Sequence, residues 1–347
     1  MSSTATVRVM SPEEIAARAG GETPYFHWPR RESVFAEREM RLRQLAPGHP
    51  MGDFLAFAAA IAHLQHACLN TFPDVRLPGP DALESAARQG IPPLPASEWP
   101  RDPAWHGVLR EIVAKLRPDA PAGALPALDR LAAADGEYLE RQADCLLTGV
   151  TAGLDMACAP IVSAALQVCW VHLVDRTRQL PAGRSEPFGR IVDETACPCC
   201  GSRPVASITR TAGDSLGQRY LHCSLCETEW HMVRIKCPHC LDTSSLAYQS
   251  LDTADAEGEG AERAAGGSRA AHAAIQAETC EACGHYLKIM HTDRDPFVEP
   301  VADDLASLAL DLLVSESGKL RHGVNLMLLF GPPEPPPDEA PPAPGGA

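Results

Sequence analysis

The chain has 347 residues, 45% of them hydrophobic and 22% charged, with a formal net charge of −15. That length accommodates two domains with separate cores, and the composition is that of a soluble globular protein. The acidic balance argues against a nucleic-acid partner, and the bases Arg210, Arg219, Arg234 and Lys236 are the one place where a local basic patch could lie.

Residues 1–30 read as a flexible lead-in, and Met1 to Arg8 lack the apolar run and small-residue cleavage site of a secretory signal, which points to the cytoplasm. Helical patterning then begins. Phe35, Leu42 and Leu45 share one face, and Pro47-Gly48-His49-Pro50 ends that segment. Phe54, Phe57, Ala58, Ile61 and Leu64 form a second apolar stripe, with Asp53 as its expected N-cap. A proline-rich connection from Phe72 to Trp105 holds one short helix, Asp81 to Arg88, before helices at His106–Leu116, Pro126–Leu147 and Leu154–Arg178. Met156 to Val174 contains no Asp, Glu, Lys or Arg. Pro160, Gln167 and His172 interrupt it, so it reads as a buried helix broken near Pro160, with no membrane insertion. Residues 31–185 are therefore expected to be an all-α domain.

Past a Pro/Gly boundary at 181–187 the pattern changes to short strands and repeats. The first unit, 190–236, runs Cys197/Cys200, strand Val205–Thr209, a turn at Gly213/Gly217, strand Arg219–His222, Cys223/Cys226, strand Trp230–Ile235. The second, 237–330, runs Cys237/Cys240, strand Leu246–Leu251, strand Ala273–Thr279, Cys280/Cys283, strand Tyr286–His291. An Asp/Glu/Gly/Ala-rich insert at 253–271 reads as a disordered loop, since Gly258 and Gly260 lack the third glycine of a dinucleotide fingerprint. Pro300 to Val314 reads as a C-terminal helix, with Leu305, Leu308 and Leu312 on one face and Asp303 and Asp304 in the first turn. Residues 332–347 are too poor in large apolar side chains to fold. The fold class is α+β: an all-α domain, two tandem four-cysteine modules of rubredoxin-like or zinc-ribbon type, and a closing helix.

The four Cys-x-x-Cys pairs carry the chemistry. Each such turn sets two sulfurs on one side of a short loop, and two turns together supply a tetrahedral four-thiolate shell. The repeat favours a sequential pairing: Cys197, Cys200, Cys223 and Cys226 on one ion, Cys237, Cys240, Cys280 and Cys283 on the other. An interleaved pairing gives each ion one glycine-containing knuckle, Gly201 or Gly284, equally well. Zinc and iron suit four sulfurs alike; zinc would be structural, iron would add redox activity. Thirteen cysteines, mostly in such pairs, fit a reducing compartment better than disulfides. Cys199, inside the first knuckle, reads as a spare residue at a variable position, the sharper alternative being an exchangeable ligand or redox-active thiol. His222, His231, His239 and His285 crowd the pairs but are not needed as ligands, and Cys68, Cys145, Cys158 and Cys169 fall in apolar helical contexts. No G-x-S-x-G, P-loop or His-Glu-x-x-His occurs, and nothing in the chain signals catalysis.

The residues around the knuckles resemble the formate dehydrogenase accessory protein FdhE family. The resemblance rests on Cys197-Pro-Cys-Cys-Gly-Ser-Arg-Pro-Val-Ala-Ser207, Leu221-His-Cys-Ser-Leu-Cys-Glu-Thr-Glu-Trp-His231, Val233-Arg-Ile-Lys-Cys237 and Tyr286-Leu-Lys-Ile289. It continues through Glu299-Pro-Val-Ala-Asp-Asp-Leu-Ala-Ser-Leu-Ala-Leu-Asp311 and Arg321-His-Gly-Val-Asn-Leu326, with weaker likeness at Arg41–Ala46 and Asp53–Phe57. It implies a non-enzymatic cytoplasmic maturation factor that binds the molybdenum- or tungsten-containing catalytic subunit of an exported formate dehydrogenase. The eight paired cysteines match the family's ligand motifs, whose sites are similar to rubredoxin iron centres. The metal modules and Glu299–Asp311 are then the expected docking surface, with Asp303 and Asp304 exposed toward a basic patch on the client or simply favouring a helix N-terminus. The alternative function is a rubredoxin-like iron redox protein acting on the same client; a zinc-ribbon nucleic-acid binder ranks last.

Overall fold

A computed structural model describes residues 23–181, 186–212, 215–251 and 273–329. The expected insert at 253–271, the tail at 332–347 and residues 1–22 of the expected lead-in lie outside the described residues. The helices of the first half are α1 (Val34–Leu45), α2 (Gly52–Thr71), α3 (Pro80–Gln89), α4 (Ala104–Leu116), α5 (Leu125–Ala133), α6 (Gly136–Thr148) and α7 (Ala159–Arg178). Helix α7 is the hub. Ile161 to Asp175 are buried without a break, so every side of it is covered, as expected of a helix apolar all round. Pro160 does not break this helix but starts it, sitting in the first turn where no N–H partner is required. No helix among the described residues is long and apolar enough to cross a membrane.

Other details depart from the periodicity reading. The α2 stripe is rotated, so Leu55, Ala58, Ile61, Ala62 and Leu69 are buried while Phe54 and Phe57 are only partly so. Asp53 lies in the first turn, past the N-cap position, which Met51 occupies. The segment expected as one helix over Pro126–Leu147 is two, because Asp135 Oδ1 accepts from Tyr138 N at 2.8 Å and caps α6 afresh.

The strands are β1 (Phe26–His27), β2 (Pro204–Ala212), β3 (Ser215–Cys223), β4 (Glu229–His231), β5 (Leu246–Gln249), β6 (Ile275–Cys280), β7 (His285–His291) and β8 (Leu320–Arg321). They make a single sheet in the order β1-β4-β3-β2-β7-β6-β5, with β8 beside β7. The two cysteine modules are thus fused, through a parallel β2–β7 pairing at Ser207↔Ile289 and Thr209↔His291. Part of the expected lead-in is strand as well: Phe26 pairs with Trp230. Strand β4 stops at His231, short of the expected Ile235, because Lys236 N turns back to Val233 O.

The closing helix is likewise two, α8 (Pro300–Ala306) and α9 (Leu308–Glu316), separated at Ser307, whose hydroxyl bonds back to Asp303 O. Of the three leucines expected on one face, Leu305 is buried but Leu312 is 65% exposed. Asp303 and Asp304, expected at the surface, are 0% and 2% exposed. Arg41 forks onto Asp303 at 2.7 and 2.9 Å, while Lys288, Arg321 and Asn325 converge on Asp304 at 3.0, 2.6 and 2.9 Å. Charges this deep persist only when paired, which is why they face inward.

Arg38 of α1, 1% exposed, joins both halves: Nη1 donates to Glu227 Oε1 at 3.2 Å and Nε to Glu299 Oε1 at 3.0 Å. Arg38→Met removes the cation between two buried carboxylates and is expected to cost about 3 kcal/mol. Arg43→Met, which removes only a surface pair with Glu39, is expected to cost no more than about 0.5 kcal/mol. Denaturant unfolding of the two variants beside the parent checks this, and equal midpoints would refute it.

Candidate metal centres

Antiparallel β2 and β3 carry the first two knuckles to the same end of their hairpin, where Pro204 pairs with Cys223. There Cys197 and Cys226 Sγ lie 3.5 Å apart, Cys200 and Cys223 3.5 Å, Cys200 and Cys226 3.6 Å. The β5–β6 pairing, with Leu246 opposite Cys280, does the same for the second set. Cys237 and Cys283 Sγ are 3.8 Å apart, Cys240 and Cys280 3.7 Å. A tetrahedron with metal–sulfur bonds of ~2.3 Å has sulfur–sulfur edges of ~3.8 Å, so both clusters have the size of a four-thiolate shell. The cysteines assemble in sequential sets, not interleaved ones.

All four knuckles use one backbone device. The residue after the second cysteine is left-handed in each: Gly201 (φ 75°), Glu227 (62°), Leu241 (64°) and Gly284 (71°). That turn lets Gly201 N reach Cys197 O at 2.8 Å and Gly284 N reach Cys280 O at 3.0 Å. Glycine adopts it freely; Glu227 and Leu241 bear a cost of roughly 1 kcal/mol each, and no glycine marks those two turns in the sequence. Backbone N–H groups are aimed at sulfur: Leu225 N and Cys226 N on Cys223 Sγ, His239 N on Cys237 Sγ, each at 3.4 Å. Such donors stabilise thiolates. Burial, the largest effect, pushes the Cys197 and Cys223 thiols well up, while at Cys226 hydrogen bonds from neighbouring thiols outweigh it and draw the thiol down. Four thiolates packed this closely need a cation to balance them, so the donor set fits a metal ion.

Exposure separates the clusters. All four sulfur-bearing residues of the first are buried, whereas Cys240 is exposed and Cys283 partly so. The first is also held from the helical side, where Leu94 N bonds Cys199 O at 3.1 Å and Ala96 N bonds Cys200 O at 2.8 Å. The proline-rich connection is the strap that does this. Cys199 itself is fully buried, with its thiol pushed well up by burial. Cys68, Cys158 and Cys169 are core residues, and Cys145 is partly exposed.

His222 is bound on both sides, Nε2 to Glu227 at 2.7 Å and Nδ1 to Glu229 at 3.2 Å. Burial disfavours its charge, but those two carboxylates more than offset that and push it up to about 9. His222, Glu227 and Glu299 are spaced to hold an ion, but Arg38 already supplies the positive charge there. Three of the four bases that could have formed a nucleic-acid patch are paired, Arg210 on Glu229, Arg219 on Glu278 and Lys236 on Glu194, while Arg234 is exposed. His231 packs edge-on to Tyr220. His239 and His285 stack beside the second cluster, and His322, held near 4 chiefly by burial, joins them. Sequence reading quoted His322 only within Arg321–Leu326 and did not place it at the cluster, because it lies far along the chain from the cysteines. Beside the first cluster, a cavity of ≈ 600 Å³ opens between α1 and the 296–300 turn, lined by Trp28, Met40, Glu229, Phe297 and Glu299.

Comparison with known proteins agrees along the described chain. Residues 23–189 match the family "FdhE, N-terminal", 196–234 "FdhE, central domain" and 235–328 "FdhE, C-terminal domain". "Protein FdhE homolog" of Klebsiella pneumoniae is 36% identical over 329 residues, covering 94% of this chain and 99% of that protein. The homolog of Serratia proteamaculans is 38% identical over 331 residues, with the same coverage. The crystal structure of the FdhE protein from Pseudomonas aeruginosa superimposes with a TM-score of 0.73 at 39% identity, covering 88% of this chain and 99% of that one.

Differential exposure has a chemical readout. In the folded chain, Cys240 is expected to be alkylated first among the eight paired cysteines, and Cys197 and Cys223 last. Mass spectrometry after timed iodoacetamide exposure gives the order; uniform labelling of both clusters would contradict the asymmetry.

Proposed function

The chain belongs to the FdhE family, and from that premise we propose that it is a cytoplasmic, non-catalytic accessory protein of formate dehydrogenase, binding the catalytic subunit before export. The observation carrying this reading is the match along 94% of the chain to proteins named FdhE, with both cysteine clusters assembled inside the matched region. Cys197, Cys200, Cys223 and Cys226 hold one cation, and Cys237, Cys240, Cys280 and Cys283 a second, either iron or zinc. Bound there, the cation neutralises four thiolates and locks two strand ends together.

Docking is assigned to apolar surface, since the aspartates once expected to do it are buried. Phe297 (59% exposed) and Met40 (48% exposed) rim the ≈ 600 Å³ cavity, over carboxylates that their own arginines already pair. Exposed aromatic and methionine side chains above a preformed hollow are characteristic anchors for a protein partner.

An anaerobic pull-down of the full chain against a formate dehydrogenase catalytic subunit, with and without its cofactor, tests the function. Preferential capture of the cofactor-free subunit is expected, and capture of neither form sinks the reading. Met40→Ser with Phe297→Ser is expected to weaken capture at least about tenfold with an unaltered unfolding midpoint. Undiminished capture would place the docking surface elsewhere. Metal analysis of the purified chain is expected to give two equivalents, falling to one in Cys223→Ser.

A further inference from the structure

Two imidazoles stand beside Cys283 of the second cluster with a third packed behind them, and nothing proposed so far uses them. His239 sits inside the third knuckle and His285 just beyond the fourth; their rings stack at 3.8 Å with an interplanar angle of 13°. One nitrogen of each and the Cys283 sulfur lie within 4.8 Å of one another. His285 Nδ1 is 2.9 Å from Cys283 O. A carbonyl can only accept, so Nδ1 is the donor there, and Nε2 is the nitrogen left for a cation. Metal-binding histidines are commonly oriented in this way. His322 packs edge-on to His239 at 5.0 Å, and its buried Nε2 has no hydrogen-bond partner. A buried polar atom left unpaired calls for a reason. Among the described residues the first cluster has no such group, and the neighbouring His222 is tied between two glutamates.

We propose that His239, His285 and Cys283 form a capture port for a borderline-soft divalent cation, zinc or ferrous iron, that supplies the second four-cysteine cluster. Two imidazoles and a thiolate are a donor set such ions accept, and the exposed His239 ring must turn out of its stack on His285 for both in-plane lone pairs to meet one ion. His239 is exposed, and the port meets solvent where Cys240 does. Cys283 belongs to both ligand sets, so a cation taken up by the port is already bonded to one sulfur of the cage. Passage inward breaks two metal–nitrogen bonds and forms three metal–sulfur bonds, to Cys237, Cys240 and Cys280. Each of those thiols gives its proton to solvent, and no electron moves. His322 backs His239 from the protein side.

This inference rests on the reading that the second cluster holds a cation, and the test separates the two. The metal-loaded full chain is exposed to cadmium(II). Exchange is followed by thiolate-to-cadmium absorption, and ¹¹³Cd resonances resolve the two sites. In wild type the second site is expected to exchange first. His239→Gln with His285→Gln is expected to slow that exchange at least about tenfold, leaving the first-site rate and the final cadmium content unchanged. The single variant His239→Gln, at an exposed position where folding is not at stake, is expected to show part of the slowing. An unchanged rate in both variants overturns the port and leaves the cluster reading standing. Loss of second-site cadmium at equilibrium also overturns it, because the histidines would then belong to the cage or the fold. A wild-type second cluster that takes no cadmium overturns both.

Discussion

Arg38 is the constraint through which the parts of this protein are joined. Its guanidinium is buried beneath α1 and held by Glu227 and Glu299. Glu227 is the left-handed residue that closes a knuckle of the first cluster, and Glu299 is the N-cap of α8, accepting from Ala302 N at 2.6 Å. One cation therefore ties the helical half, a cysteine knuckle and the closing helix to one another. Removing three charged groups from water costs several kcal/mol per ion, so the cluster adds little net stability over an apolar packing. Any other docking of these elements would leave at least one charge buried and unpaired. We attribute the arrangement to that penalty on alternatives more than to the strength of the contacts themselves.

A second buried network works alongside it. Lys288 on β7 meets Asp304 and Asp311, and Arg321 on β8 meets the same two carboxylates. Two cations face two anions, and Tyr286 donates to Asp311 at 2.9 Å. These residues account for much of the motif Glu299–Asp311 and Arg321–Leu326 that first suggested the family. Gly323 of the latter has its own reason: a Cβ there would come 2.4 Å from Val205 O, so only glycine lets the final strap lie across β2. Motif residues that look like a charged docking strip are the internal fastening of α8 and α9 to the sheet.

What was legible in the sequence was local. Cys-x-x-Cys spacing and hairpin return placed all eight sulfurs in the correct sets, because a knuckle and a two-stranded turn are each specified within a few dozen residues. The proline-rich segment was recognisable as a connection, but not as the strap over Cys199 and Cys200, since its hydrogen bonds cross about a hundred residues of sequence. The same limit hid the parallel β2–β7 pairing and the burial of Asp303, whose partner Arg41 lies far toward the N-terminus. Polarity alone said surface; only the tertiary partners reverse that. Glu227 and Leu241 show the complementary failure, in which tertiary context imposes a conformation their residue types disfavour.

The resulting asymmetry between the clusters follows from where the sheet puts them. The first lies under α7 and the strap, with Gln167 of that helix donating to Ser224 O at 2.8 Å inside its second knuckle. The second is carried by β5 and β6, and β5 is the terminal strand. A four-thiolate site inside a core cannot lose its cation without disturbing the core, whereas one at a sheet edge can open at a cost confined to a short hairpin. Yet β7, which follows the fourth knuckle directly, pairs with β2 and anchors α8 through Lys288. The outer cluster is thus accessible on one side and continuous with the rigid frame on the other. That combination suits a site whose occupancy must be reachable from solvent while the surface around Phe297 and Met40 stays fixed.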